Sequence, residues 1–137
     1  MTYGKLNIAG GLLFLAAFMA YGFLLIYLRD FAPGKEQWIA DYGIGTHFEA
    51  RLAHVHGNLF ALLNVLIGYL VWKMPIDQMS AKWVSYLAFA GMLMPIGILA
   101  EIVLGVPPYL VLLGAILIVV AMAWLGIAVW RAKLTPA

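Results

Sequence analysis

The sequence predicts an all-α integral membrane protein, a bundle of four transmembrane helices in one domain. Three observations predict it. Of the 137 residues, 66% are hydrophobic and only 10% are charged. The mean hydropathy is +1.00. A water-soluble domain of this length needs more charge to cover its surface. Four apolar runs, 6–28, 52–72, 83–104 and 108–130, each reach the ~20 residues that carry a helix across a hydrocarbon core of ~30 Å.

Each run must be helical, because hydrocarbon offers backbone N–H and C=O groups no partner outside the segment. The first run follows Lys5, as the apolar part of a secretory signal would. It is about 23 residues long against the usual ~7–15, so a retained helix is expected. The third carries Pro95, which is expected to kink it and free a carbonyl. Pro107 and Pro108 mark a tight turn, with Pro108 near the start of the last helix. The loop 30–50 contains Gly34, Gly43 and Gly45 with mixed charge. A connector of that length folds over a site as a lid or is a plain solvated link, and both readings stay open here.

Charge sets the orientation. The formal net charge is only +2 and the pI is about 9.0, which reads as topology and not as a nucleic-acid surface. Lys5, Lys73, Lys82, Arg131 and Lys133 fall on one side, with Asp77 as its acid. Arg29, Lys35 and Arg51 fall on the other, balanced by Asp30, Glu36, Asp41 and Glu49. The first side is the basic one, so both termini and the middle loop are expected in the cytoplasm, with the chain in the inner membrane of a bacterium. Trp38, Trp72, Trp83, Tyr109 and Trp130 lie in the outer loop or near span ends, where interfacial anchors are expected.

There is no cysteine. Disulfides, thiolate-bound zinc, iron–sulfur clusters and covalently attached c-type haem are therefore excluded. The stretch 46–58, Thr-His-Phe-Glu-Ala-Arg-Leu-Ala-His-Val-His-Gly-Asn, opens the second span and holds all three histidines. Glu101, the one carboxylate within a span, lies near the end of the third. Antiparallel neighbours bring His54, His56, Asn58 and Glu101 to one end of the bundle, with Arg51 just above.

At 100° per residue His47, Arg51, His54 and Asn58 lie within roughly 60° of one another, while His56 points to the opposite side. The two central imidazoles therefore do not share one metal from a regular helix. A catalytic zinc needs three protein ligands, and a di-metal carboxylate site needs several Glu with Glu-x-x-His pairs. A haem needs one or two axial imidazoles, an apolar slot and cations for its propionates. Elimination thus favours haem, with His56 or His54 as iron ligand, Arg51 beside a propionate, and Asn58 and Glu101 lining the site. The competing readings are a packed interhelical histidine for His54 or His56, a snorkelling Arg51, and a Glu101 salt bridge to Arg51 or a histidine. His47 is expected in the loop or first exposed turn. Asn58 and Asn64 read as interhelical hydrogen-bond partners.

The run Arg-Leu-Ala-His-Val-His-Gly-Asn at 51–58, with Asn64 further on, resembles the second helix of the styrene oxide isomerase family, small four-helix membrane proteins of similar length. The resemblance extends to the layout of spans, outer loop and basic tail. It implies a homotrimer with b-type haem between subunits and His56 as the iron ligand. It also implies an open ferric face that acts as a Lewis acid on a small hydrophobic epoxide, giving an aldehyde. His54 stands where that family has an arginine. The family's asparagine falls nearest Leu62, and its third-helix aspartate and tyrosine fall near Leu93 and Ile102 or Glu101. The H-x-H-x-N-L pattern is also similar to haem-ligating helices of haem–copper and nitric oxide reductases. The expectation is therefore a haem-binding membrane protein with an isomerase, electron-transfer or gas-sensing role. Its partners are membrane lipid, further copies of itself and a small hydrophobic substrate or redox partner, with no nucleic acid. The alternative is a non-haem accessory subunit or small transporter whose histidines are structural or relay protons.

Overall fold

The computed structural model describes residues 2–133, with side chains from residue 3. The described residues are α-helical with short connectors. The elements are α1 (Thr2–Asp30), α2 (Lys35–Ala40), α3 (Gly45–Lys73), α4 (Gln78–Ala90), α5 (Leu93–Leu104) and α6 (Tyr109–Arg131). Four helical stretches are long and apolar enough to cross a membrane, with α4 and α5 together making the third. The chain is thus a membrane protein by length and composition of its helices.

The helices outrun the apolar runs. The second begins at Gly45 and not at residue 52, and the third at Gln78 and not at 83. The reason is physical: an apolar run measures the hydrocarbon layer, while Thr46–Arg51 and Gln78–Lys82 continue the same helices into the polar zone. Asp77 starts α4 by accepting the Ser80 N–H at 2.9 Å, which satisfies one of the N–H groups a helix start leaves open. The loop 30–50 is correspondingly shorter than expected, and α2 lies within it.

Pro95 acts as expected, and its effect falls one turn earlier. It has no N–H for the Gly91 carbonyl, and the helix breaks at Gly91–Met92. The Met94 N–H takes that carbonyl instead, at 3.0 Å, so the freed acceptor is filled by a tighter turn. At the last connector Pro108 caps α6.

α1 and α3 lie antiparallel in very close contact. A Cβ on Gly68 would come within 2.6 Å of the Gly4 carbonyl oxygen, and a Cβ on Gly57 would collide with the Phe18 ring. Small residues here let two backbones approach where lipid supplies no hydrophobic drive between helices. Phe18, Phe60, Ile67, Val84, Met92, Ile118 and Leu125 form the packed centre.

Polarity is distributed inside out. Leu13 and Phe23 are each 73% exposed on the outer surface, whereas Asn7, Asn64 and Ser85 are completely enclosed. Asn7 Nδ2 donates to Asn64 Oδ1 at 2.8 Å and to the Ser85 carbonyl at 3.0 Å. Asn64 Nδ2 donates to the Ala88 and Phe60 carbonyls, each at 3.0 Å. Two amides thereby tie α1, α3 and α4 together, confirming Asn64 as an interhelical partner.

Candidate functional site

The connector α2 folds back on the start of α3. His47 is buried, stacked on Trp38 with ring centroids 4.3 Å apart and planes 18° from parallel. Its Nδ1 donates to the Trp38 carbonyl. Tyr42 meets the same imidazole edge-on. The expectation of an exposed His47 is therefore corrected: the loop supplies an aromatic cover that the bare spacing did not reveal. Arg51 completes this cover. Its guanidinium lies 3.5 Å over the Tyr42 ring and donates to the Tyr42 carbonyl at 2.9 Å. Arg51 thus pins the connector.

His54 and His56, two residues apart on α3, diverge as 100° spacing requires. His54 faces α1. Its Nδ1 donates to the Phe18 carbonyl at 3.0 Å, and the ring tilts against Tyr21. Tyr21 itself donates to the Ala50 carbonyl at 3.3 Å. Asn58 Nδ2 donates to the His54 carbonyl at 2.8 Å, while its Oδ1 is buried with no partner. His56 leaves the other side of α3. Its Nδ1 donates to the Leu52 carbonyl of its own helix at 2.9 Å, and its ring lies edge-on to Phe60.

Glu101 is half-buried near the end of α5. Its Oε1 is enclosed and without a hydrogen-bond partner. The salt bridge to Arg51 or a histidine is not formed; Arg51 lies on Tyr42, His54 Nδ1 on the Phe18 carbonyl and His56 Nδ1 on the Leu52 carbonyl. Among the described residues the ion pair is Arg29–Asp30, at 2.7 Å.

Among the described residues no three His, Asp or Glu side chains converge on one point. The arrangement offers single imidazoles. No family model, curated protein or solved structure matches the chain. Function must accordingly be read from the side chains themselves.

Three contributors were passed over in the sequence. Asn7 is a lone amide in an apolar run, a visible signal. Ser85 contributes through its backbone carbonyl, which no residue type announces. Trp38 reads as an interfacial anchor, but it is the platform under His47, with its Nε1 buried and unpartnered.

Proposed function

We propose that the chain is an integral membrane b-type haem protein in which His56 ligates the iron through Nε2. One observation carries the reading. A carbonyl can only accept, so the contact with Leu52 places the proton of neutral His56 on Nδ1 and leaves a lone pair on Nε2. A histidine prepared for a metal is held this way, with the other ring nitrogen donating to a fixed acceptor. His56 is only half-buried, and its exposed neighbours on α3, Val55, Leu59 and Leu62, are apolar. That surface suits a flat apolar macrocycle closed in by a further copy of the chain, in a homotrimer as the family resemblance implies. The resemblance to styrene oxide isomerases rests on residues 51–58 and supports the same ligand. A bound ferric haem supplies Lewis acidity or one-electron chemistry. The chain's own part is to orient the imidazole and exclude water. The third-helix aspartate and tyrosine of the isomerases fall near Leu93 and near Ile102 or Glu101, and neither residue type occurs there, so haem binding is the core of the proposal and epoxide isomerisation a secondary use.

Lys5, Lys73, Lys82 and Arg131 gather at the end opposite α2, a bias that favours cytoplasmic termini.

The test is the visible spectrum of protein expressed with ample haem, oxidised and reduced. A Soret band present in the native chain and in His54→Ala but lost in His56→Ala is the expected result. A colourless native protein would falsify the reading.

A second reading has its own observation. His54 and His47 both donate to carbonyls of other elements, as structural histidines do. An accessory membrane module built around such contacts would be colourless, with both substitutions lowering stability.

A further inference from the structure

A groove of about 500 Å³ runs along the α1–α3 seam near the α2 end. Met19, Gly22, Phe23 and Ile26 of α1 line it with His54 and Asn58 of α3. It lies on the side of α3 away from His56 and does not rest on the haem reading. Its wall is apolar except at His54 and Asn58. The His54 ring lies so close to α1 that a Cβ on Gly22 would stand 2.8 Å from Cε1.

The protonation of His54 follows from its neighbour. Nδ1 donates to the Phe18 carbonyl, so Nε2 of the neutral ring is an acceptor. Among the described residues the donor near it is the Asn58 amide, at long range. Asn58 Nδ2 is 3.4 Å from Nε2 and 3.3 Å from Nδ1. A donor aligned on the Nε2 lone pair cannot be equally near both nitrogens, so the second Asn58 amide proton meets the ring off the lone-pair axis while the first is taken by the His54 carbonyl at 2.8 Å. His54 lies two residues inside the apolar run 52–72, about 3 Å below its polar end. An acceptor facing the bilayer there is best served by a membrane-dissolved molecule that brings a well-aligned donor.

We propose that this groove binds a lipophilic phenol or hydroquinone, whose ring hydroxyl donates to His54 Nε2 while its apolar part lies along Met19, Phe23 and Ile26. Phe23 offers an aromatic face on this shallow, open trough, and an apolar wall with a few convergent polar groups is the usual lining of a small-molecule site. The hydroxyl and not the carbonyl form is selected, because the protein presents an acceptor.

The experiment compares binding of 2-decyl-1,4-hydroquinone and its dimethyl ether to the intact chain in lipid nanodiscs, without oxygen. The two probes share shape and tail and differ in the O–H donor. The hydroquinone should bind about tenfold more tightly, the worth of one well-aligned hydrogen bond. His54→Phe should level the two, and Ile26→Trp, which fills the groove without touching the Phe18 contact, should weaken both. Equal affinities in the native chain would overturn the proposal and leave an acyl-chain groove. A preference that survives His54→Phe would place the hydroxyl elsewhere and overturn it as well. Should His54→Phe not fold, Ile26→Trp decides, and unchanged affinity there refutes the location.

Discussion

Asn7 and Asn64 meet amide to amide at 2.8 Å inside a bundle whose outer face is apolar. The pair joins the start of α1 to the middle of α3, and each amide carries a further bond to α4. Both side chains are completely enclosed. Removing one partner leaves a proton or the carbonyl oxygen of the other amide unpaired where water cannot reach it, at a cost of about 1–3 kcal/mol. Asn64→Leu and Asn7→Leu are each expected to destabilise the bundle by that amount. The double variant should cost less than the sum, since it removes both unpaired groups at once. Equilibrium unfolding in mixed micelles measures all three, and strict additivity would mean that the two amides act separately.

The cover over the loop end rests on His47. Stacking on Trp38 is worth about 0.5–1.5 kcal/mol beyond burial, and the bond to the Trp38 carbonyl adds about 1 kcal/mol. His47→Ala should therefore free α2 locally while leaving the spans intact. Limited proteolysis within 35–44 should rise about tenfold or more. Arg51→Met, which keeps the stem and removes the donors to Tyr42, should act in the same direction. Cleavage at native rates in both variants would mean that α2 is held by other contacts.

The spans, their order and the inward Asn64 were legible in the sequence because each follows from a local rule: apolar length, antiparallel succession, and the cost of polarity in lipid. The opposed faces of His54 and His56 were legible too, since 100° spacing fixes them. The partners were not. His54 bonds to the Phe18 backbone, and no side chain at position 18 signals its own carbonyl. The burial of His47 depends on a six-residue helix that only tertiary contact with α3 sustains, since so short a helix is not stable alone. Glu101 was legible as the odd carboxylate of the third span. Its lack of a partner was not, because the side chains expected to pair with it bond instead to backbone carbonyls.

Asp77 gives a pH dependence of known sign. Hydrogen bonds from Ser80, its side chain first and its backbone N–H second, hold the Asp77 carboxyl below its ordinary value of 3.8. A carboxyl depressed in the folded state stabilises above its unfolded pKa, and that contribution disappears as pH falls through the folded value. The stability difference between the native chain and Asp77→Asn should be flat at neutral pH and shrink only below about pH 4. Trp124 Nε1 donates to Ser80 Oγ at 3.1 Å, so Trp124→Phe should reduce the same difference by loosening Ser80. A difference that grows on acidification would reverse the assignment.

Glu101 keeps an enclosed Oε1 with no partner in a helix otherwise built of apolar residues. Such an atom costs about 1–3 kcal/mol of lost hydration with nothing returned within the chain. Glu101→Leu should therefore stabilise the isolated chain by up to that amount, the opposite of what most substitutions in a packed bundle do. The sign separates two roles. A gain in stability marks Glu101 as a residue kept for function at a structural cost. A loss means that it finds a partner in the assembled protein, and crosslinking between copies at neighbouring positions 103 and 104, both exposed, would then locate that contact.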